Sequence, residues 1–339
     1  MQLTIASILG QLSAGENLSQ DEMTTAIDLV MQGELSEAEI ALLLTALRVK
    51  GETVSEIAGA AIAMRRHMTP IRSHRTGVLD TCGTGGDGWR TFNVSTAAAL
   101  VTAAAGVPVA KHGNRAVSSR SGSADVLAAL GVNIEAGVEV VERCLDRLGI
   151  CFCFAPLLHP AMRRVGTVRK RLGVPTIFNL IGPLSNPASA PFQLLGVGKS
   201  HVHALLAEAL ALLGTKRAMV VTGEGHFDEV TIAGPTRVTE VSEGKLREFT
   251  WNPSDFGLEQ SPLDGLLVKG PEESAAMIRG VLAGDRGPAR DIVVANAAAA
   301  LCTAGRADTP AAAAELATTA IDSGAARDLL VGLVEQTDL

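Results

Sequence analysis

The sequence changes character near residue 77, and this change restricts the chain to a fold with two unlike parts. Residues 1–70 carry helical patterning only, with apolar side chains repeating every three or four positions. Three helix starts are marked by capping boxes, in which a Ser or Thr hydroxyl and a Glu three residues later each bind a free backbone amide. The boxes are Ser19 with Glu22, Ser36 with Glu39, and Thr53 with Glu56. A small all-helical N-terminal domain is therefore predicted.

Short β-like runs alternate with helical segments from residue 77 onward. The predicted strands are residues 78–82, 107–110, 150–154, 194–197 and 218–222. This alternation is typical of the α/β class, so we predict a large α/β domain with a central, mainly parallel sheet. Ligands of such sheets bind beyond the carboxyl ends of the strands. The Ala-rich residues 292–304, interrupted by Asn296, are too short to span a bilayer and are predicted to form a buried core helix.

The composition of the 339-residue chain excludes several functions. Aromatic residues make up only 3%, which argues against stacking platforms for single-stranded nucleic acid. A formal net charge of −7 argues against general binding to nucleic acid or to an anionic membrane. The N-terminus lacks the pattern of an export signal, so we expect a cytoplasmic protein. The five cysteines do not suggest a disulfide framework, and Cys151 and Cys153 are predicted to pack on one face of a buried strand.

A glycine-rich loop, residues 83–88, follows the first predicted strand. Glycines let the backbone approach a ligand closely and present successive N–H groups to an anion. The loop also matches the dinucleotide fingerprint, but the acidic residue that this fingerprint requires about 20 positions later is missing. From Gly88 to Ala124 the chain has no Asp or Glu, although it has Arg90, Lys111, Arg115 and Arg120. This basic stretch in an acidic protein predicts an anion site.

Two polar segments fit the same anion site. Residues 93–96 precede an Ala-rich helix, which Ser95 or Thr96 is predicted to cap. Helix N-termini also bind phosphate, because their free amides and dipole favour negative charge. Residues 111–119 follow the predicted strand 107–110 and place a Lys, a His, an Asn, an Arg and two Ser within nine positions. A solvated loop rarely needs so many hydrogen-bond donors.

Asp228 and Glu229 follow the predicted strand 218–222 through a Gly-rich turn. Adjacent carboxylates on a loop suit Mg²⁺, which takes few protein ligands and prefers phosphate oxygens for the rest. Taken alone, this acidic pair also fits a solvated turn.

Together these motifs resemble the anthranilate phosphoribosyltransferase family. The matching segments occur in the family's order and cover most of residues 77–232. They are GTGGD (83–87), NVST (93–96), KHGNRAVSS (111–119), SGSADVL (121–127), HPAM (159–162), IFNLIGPLSNP (177–187) and DE (228–229). The sequence departs from the family pattern at residues 89–90 and 226–227, which affects loop detail only.

The resemblance implies a Mg²⁺-dependent glycosyltransferase of tryptophan biosynthesis. It would transfer the phosphoribosyl group of 5-phosphoribosyl 1-diphosphate (PRPP) to the amine of anthranilate and release diphosphate. It also implies two Mg²⁺ ions per subunit and a homodimer formed through the helical domain. That domain would comprise residues 1–70 with about 163–190, and the α/β domain residues 75–162 and 191–339, with the active site at the seam.

The family's site residues carry over to the matching positions of this sequence. The resemblance implies PRPP binding by Gly83, Gly86, Asp87, Thr91, Asn93, Val94, Ser95, Thr96, Lys111, His112, Gly113, Asn114, Arg115, Ala116, Val117, Ser118, Ser119 and Ser123. It implies anthranilate contacts from Gly83, Asn114 and Arg169, whose guanidinium can bind a carboxylate through two hydrogen bonds. The implied Mg²⁺ ligands are Ser95, Asp228 and Glu229, and His112 and His159 would line the site. No strict acid–base residue is expected, because the anthranilate amine is an uncharged nucleophile.

Two other functions stay open at this point. A pyrimidine nucleoside phosphorylase-like enzyme would also cleave a ribosyl bond, but it would leave Asp228 and Glu229 without a role. A non-catalytic, nucleic-acid-binding relative of the same fold would need a broad basic surface, which the net charge of −7 opposes.

Overall fold

The computed structural model describes residues 4–116 and 121–338, and its first four helices form a bundle. They are α1 Ile5–Ser13, α2 Gln20–Gln32, α3 Glu37–Lys50 and α4 Val54–Arg66. The three predicted capping boxes are confirmed, since each hydroxyl accepts from the amide three residues on and each Glu binds back to the cap residue. α2 packs along α4, and α1 packs against α3, through the apolar faces that the sequence pattern predicts.

The remaining helices alternate with strands or follow the sheet. They are α5 Val94–Ala104, α6 Ser123–Ala129, α7 Val138–Leu148, α8 Ala155–Leu158, α9 Met162–Leu172, α10 Phe178–Ile181, α11 Ser200–Leu212, α12 Pro271–Leu282, α13 Pro288–Thr303, α14 Pro310–Asp322 and α15 Ala325–Thr337. α13 is buried over most of its length, which confirms the predicted core helix. None of the helices in residues 4–116 and 121–338 is long and apolar enough to cross a membrane.

Within residues 4–116 and 121–338, seven strands form one sheet in the order β3-β2-β1-β4-β5-β6-β7. They are β1 Leu79–Gly83, β2 Val109–Gly113, β3 Ile150–Phe154, β4 Phe192–Gly196, β5 Arg217–Gly223, β6 Thr236–Ser242 and β7 Lys245–Trp251. The first five pair in parallel, and β6 and β7 are added as an antiparallel hairpin. The predicted α/β class with a mainly parallel sheet is therefore confirmed.

Two details of the strands differ from the sequence prediction. The predicted strand 107–110 is wrong in its bounds, because β2 starts and ends later and includes Lys111 and His112. Both side chains are consequently buried in the sheet layer instead of lying in a loop. The sequence pattern does not predict the β6–β7 hairpin, because most side chains of β7 are exposed and the strand lacks an apolar run.

Helices cover both faces of the sheet. On one face α5 lies on β1 and β2, and α13 packs on α5, β4 and β5. On the other face α11 lies on β5 and contacts α4, so the apolar core of the bundle continues onto the sheet. Ile57 of α4, Leu206 of α11 and Val220 of β5 belong to the same group of buried side chains. α9 packs against α3 and brings the basic segment after His159 to the bundle.

Candidate active site

The loop after β1 presents backbone amides at the carboxyl edge of the sheet. Gly85, Gly86 and Gly88 have φ angles of +66°, +75° and +86°, a left-handed conformation that favours glycine. A Cβ added to any of the three would meet open space, so the backbone conformation, and not crowding, selects glycine here. The Gly85 amide donates to Asp228 Oδ2 at 2.8 Å. A hydrogen bond therefore joins the glycine loop to the acidic pair.

The backbone of Asp228 packs directly on the ends of two strands. A Cβ added to Gly196 of β4 would lie 1.7 Å from the Asp228 carbonyl oxygen, and one added to Gly83 of β1 would lie 2.7 Å from Asp228 Oδ2. A Cβ at Gly196 would collide with backbone, so only glycine permits that approach, whereas the Asp228 carboxylate could move away from a Cβ at Gly83. On the preceding side, Phe227 and Gly223 exchange backbone hydrogen bonds of 2.8 and 3.2 Å. The chain entering the acidic pair is thus fixed to β5.

Glu229 binds the N-terminus of α5. Its Oε1 accepts a hydrogen bond from the Ser95 amide at 3.1 Å, at a position where free amides and the helix dipole favour negative charge. The predicted capping by Ser95 or Thr96 is wrong, because Asn93 is the N-cap residue and makes no side-chain cap hydrogen bond within the described chain. Ser95 and Thr96 lie inside the first turn, so a carboxylate from a distant loop satisfies an amide that a local cap would otherwise bind.

Lys111 lies on β2 with its side chain only 3% exposed. Its Nζ donates to the Thr81 carbonyl of β1 and, at 3.2 Å, to Ser95 Oγ of α5. Burial lowers the pKa of Lys111. The negative charge of Asp80 and, to a smaller extent, that of Glu229 act to raise it. The lysine therefore joins β1 and α5 and supplies positive charge beside the acidic pair.

The positive charge around Asp228 and Glu229 is too small to keep their carboxyl groups at their ordinary pKa values. Burial raises the pKa of Asp228 well above its ordinary value, and the carboxylates of Asp87 and Glu229 raise it further. Burial also raises the pKa of Glu229, to about 7, against the opposing charge of Lys111. Both side chains keep partial solvent exposure although they lie deep among protein atoms. Such a site favours an added cation.

The donor set suits Mg²⁺. Asp228, Glu229 and the Ser95 hydroxyl are hard oxygen donors, and Mg²⁺ keeps several water or phosphate ligands. Within residues 4–116 and 121–338, no group of three or more His, Cys, Asp and Glu side chains could hold a metal by itself. A Mg²⁺ ion at this pair would therefore take its remaining ligands from substrate or water, which is the mode that its chemistry prefers.

Asn93 is held by Ser274 of α12, a residue that the sequence did not indicate. Ser274 Oγ donates to Asn93 Oδ1 at 2.8 Å and accepts from the Asn93 amide at 3.0 Å. Asn93 Nδ2 also donates to the backbone carbonyl of Ser121, just before α6, at 3.1 Å, and Ser121 Oγ donates to Asn93 Oδ1 at 2.7 Å. A serine within a helix gives no sequence signal for such a role. Nearby, Thr91 forms a short antiparallel bridge with Leu267.

The segment after β2 folds back on the start of α6. Asp125 accepts from the Ala116 amide at 2.8 Å, and its other oxygen pairs with Arg115 at 3.3 Å. Arg115 is thereby engaged by a carboxylate of the protein, and Asn114 is exposed. Three predicted PRPP-binding residues lie outside the described residues, namely Val117, Ser118 and Ser119.

His112 and His159 meet beside the carboxyl end of β2. Their Nε2 atoms are 3.2 Å apart, so one ring donates to the other. Burial lowers the pKa of His112 to about 3, with a contribution from nearby His159, and lowers the pKa of His159 to about 4. Both rings are therefore neutral at physiological pH. Next to His112, Gly113 approaches Ser123 so closely that a Cβ would lie 2.0 Å from Ser123 Oγ.

Substituting His112 by Gln is expected to reduce the loss of stability in acid. The unfolded histidine titrates near 6.5 and the folded one at about 3, so below pH 6.5 the unfolded state binds more protons and stability falls. Between pH 6.5 and about pH 4.5 this costs the wild type about 2–3 kcal/mol that the variant does not lose. Urea denaturation of both proteins at pH 7.5 and pH 4.5 measures the difference. A stability difference that is independent of pH would show that His112 is not held neutral.

Arg169 lies on α9 and contacts Phe178 and Asn179, both in α10. Its guanidinium carbon is 5.7 Å from the centroid of the Phe178 ring, and its Nη2 donates to Asn179 Oδ1 at 3.1 Å. Burial lowers the pKa of this guanidinium, although the side chain keeps partial exposure. Within the described residues no hydrogen bond or ion pair joins Arg169 to Asn114 or to the acidic pair.

The fold and the site together define a glycosyl transferase. Residues 75–327 match the family model described as "Glycosyl transferase family, a/b domain". Residues 6–68 match the model described as "Glycosyl transferase family, helical bundle domain". The two matched regions are separated by residues 69–74, shortly before residue 77, where the sequence pattern changes from purely helical to alternating.

Comparison with individual relatives identifies one family within the glycosyl transferases. The anthranilate phosphoribosyltransferase of Moorella thermoacetica is 49% identical over 326 residues, which is 96% of each chain. The crystal structure of the Thermus thermophilus anthranilate phosphoribosyltransferase superposes with a TM-score of 0.92 at 45% identity, covering 98% of this chain and 99% of that one. The Saccharomyces cerevisiae enzyme, solved in complex with PRPP and Mg, gives a TM-score of 0.91 at 30% identity, covering 100% and 99%. The chain belongs to the anthranilate phosphoribosyltransferase family.

Proposed function

We propose that the chain transfers the phosphoribosyl group from PRPP to the amine of anthranilate and releases diphosphate, as a step of tryptophan biosynthesis. The observation that carries the proposal is the unit at the carboxyl edge of the sheet. There a glycine-loop amide binds Asp228, the start of α5 binds Glu229, and buried Lys111 binds Ser95 of α5. Amides, an ammonium and a carboxylate-bound Mg²⁺ suit a diphosphate leaving group.

The reaction places few demands on acid–base groups. The bond between ribose C1 and the diphosphate oxygen breaks, a bond from C1 to the anthranilate nitrogen forms, negative charge develops on diphosphate, and the nitrogen then loses one proton to water or to the diphosphate. Preorganised donors stabilise that charge, and a bound Mg²⁺ would neutralise part of it. Holding both substrates in a reactive orientation contributes about 7–11 kcal/mol. The amine attacks without prior deprotonation, which agrees with neutral His112 and His159.

The residues assigned from the sequence keep their roles in this proposal. PRPP binding is assigned to the glycine loop, the start of α5 and the segment from β2 to α6. Mg²⁺ binding is assigned to Ser95, Asp228 and Glu229. Anthranilate binding is assigned to Gly83, Asn114 and Arg169, with the two histidines lining the site. The partial exposure of Arg169 supports its part, because the guanidinium remains open to a carboxylate.

The proposal extends to assembly and metal number. It includes two Mg²⁺ ions per subunit, a cytoplasmic location and a homodimer. The dimer-forming helical domain comprises residues 1–70 and about 163–190. The catalytic domain comprises residues 75–162 and 191–339. Packing of α9 against α3 supports this division. Leu42 and Val49 on α3 are 59% and 82% exposed, and two apolar side chains on one helix support an interface there.

One assay tests the activity. The purified chain is expected to release diphosphate from PRPP only when anthranilate and Mg²⁺ are both present. Replacing anthranilate by a pyrimidine nucleoside with inorganic phosphate tests the phosphorylase alternative in the same format. Diphosphate release that is independent of anthranilate, or turnover of the nucleoside alone, would contradict the proposal.

Arg169→Ala is expected to raise the KM for anthranilate by roughly 10–100-fold and the KM for PRPP by far less, since a charge-assisted hydrogen bond contributes about 1.5–3 kcal/mol. Initial rates with each substrate varied in turn measure both constants. Arg163→Ala is the matched control, because Arg163 is exposed on the same helix. Equal increases in the two KM values would refute the assigned role.

A further inference from the structure

We propose that Asn296 is a positioning residue that holds the acidic pair, Asp228 and Glu229, in the geometry that binds metal. Asn296 lies on α13, far from the acidic pair in sequence, and would not itself touch substrate or metal. The inference rests on the proposed function, because it concerns the metal-binding role assigned to that pair.

The contact is made to the residue directly after the pair. Asn296 Oδ1 accepts from the Val230 amide at 2.9 Å, and Asn296 Nδ2 donates to the Val230 carbonyl at 2.8 Å. One side-chain amide thus satisfies both backbone groups of one residue, as a neighbouring strand would. The second N–H of Asn296 donates to Ile292 of its own helix at 2.9 Å. All of these groups are buried, where a hydrogen bond left unmade is costly.

The surroundings of Asn296 show that helix formation does not explain its presence. α13 is an Ala-rich helix whose neighbouring residues, Ala295 and Ala297, are fully buried. Asn has a lower helix propensity than Ala, and a buried amide is tolerated only with its partners in place. Of the three hydrogen bonds that the Asn296 side chain makes within the described residues, two go to Val230. The residue is therefore suited to fixing this segment and not to stabilising its own helix.

Asn296 completes a clamp around the acidic pair. On one side Phe227 is paired with Gly223 of β5, and on the other side Val230 is paired with Asn296 of α13. Asp228 and Glu229 are the two residues between these anchors. Metal ligands need placement to within about 0.5 Å, so loss of the second anchor is expected to let Glu229 leave its position at the start of α5.

Metal binding without turnover tests the inference. Mn²⁺ is titrated into the full-length protein with PRPP present and anthranilate absent, and bound Mn²⁺ is followed by electron paramagnetic resonance. Asn296→Leu removes both contacts to Val230 at similar volume and is expected to weaken Mn²⁺ binding by roughly 10–100-fold, as loss of a residue that orients metal ligands does. Asn296→Ala, which matches the neighbouring Ala residues of the helix, also removes both contacts to Val230, and a substantial weakening is expected here also.

Leu301→Ala is the matched control, because Leu301 is fully buried on the same helix and its truncation destabilises the core without removing a hydrogen bond to Val230. It is expected to lower the melting temperature and to leave Mn²⁺ affinity at the wild-type value. Folded Asn296 variants with wild-type affinity, or equal weakening in the control, would overturn the inference. If Asn296→Leu does not fold, the milder Asn296→Ala decides. Failure of wild-type protein to bind Mn²⁺ would instead refute the proposed function, and the inference with it.

Discussion

The double variant Asp228→Asn, Glu229→Gln is expected to lose roughly 10²–10⁴-fold in kcat/KM at a fixed Mg²⁺ concentration, because the metal's contribution to charge stabilisation amounts to several kcal/mol. Amide oxygens are weaker Mg²⁺ ligands than carboxylates and do not neutralise the ion. The Mg²⁺ concentration that gives half-maximal rate is therefore expected to rise as well. Initial rates measured over a wide Mg²⁺ range, at saturating PRPP and anthranilate, give both quantities.

The same double variant is expected to be at least as stable as the wild type in the absence of Mg²⁺. Burial raises the pKa of Glu229 to about 7 from an ordinary 4.5, so the folded state binds its proton more readily than the unfolded chain. Wild-type stability should then gain from this group as pH falls from 7 towards 4.5, and the variant should lack that gain. Thermal unfolding with chelator at several pH values measures the difference.

Glu224→Gln provides the control for these measurements. Glu224 is an exposed carboxylate on the turn that leads to the acidic pair, so its substitution removes one negative charge nearby without removing a proposed ligand. It is expected to leave the Mg²⁺ dependence unchanged. A double variant that keeps the wild-type Mg²⁺ dependence would remove Asp228 and Glu229 as ligands.

Lys111→Ala is expected to have the second large effect, on PRPP binding and on stability together. The side chain is buried, and its ammonium faces the acidic pair and binds Ser95, so its loss leaves carboxylates without a compensating charge. Leaving the buried Thr81 carbonyl without this donor costs about 1–3 kcal/mol. The KM for PRPP is expected to rise by at least about 100-fold, since the same charge would meet the diphosphate.

Lys111→Met separates charge from packing, because methionine retains most of the apolar stem. If the ammonium carries the effect, the Met variant recovers part of the stability lost in the Ala variant and none of the PRPP affinity. KM values for both substrates, together with urea denaturation, distinguish the two contributions. A normal KM for PRPP in either variant would count against the assigned role of Lys111.

The parts of the fold that depend on neighbouring residues could be predicted from the sequence. The capping boxes at Ser19, Ser36 and Thr53 are local, since each hydrogen-bond pair lies within three residues. The sheet class follows from alternating apolar runs, and parallel strands bring their carboxyl ends to one edge. The sequence alone therefore groups the glycine loop, Lys111 and the acidic pair at that edge.

The remainder depends on contacts between distant segments. Glu229 binds the start of α5 across 134 positions, and this contact displaces the local cap predicted at Ser95 or Thr96. Ser274 reaches Asn93 across 181 positions. Neither contact has a periodic or spacing signature, because tertiary packing alone determines it. The hairpin β6–β7 escapes prediction for another reason, since an exposed edge strand needs no apolar pattern.

The position of α13 has a consequence for biosynthesis of the chain. The helix begins at Pro288, yet it packs on α5, β4 and β5, all of which leave the ribosome much earlier. A nascent chain that ends before residue 288 has the two carboxylates but lacks the partner of Val230. Synthesis must therefore reach α13 before Val230 gains this partner, and with it the second anchor of the segment that carries the two carboxylates.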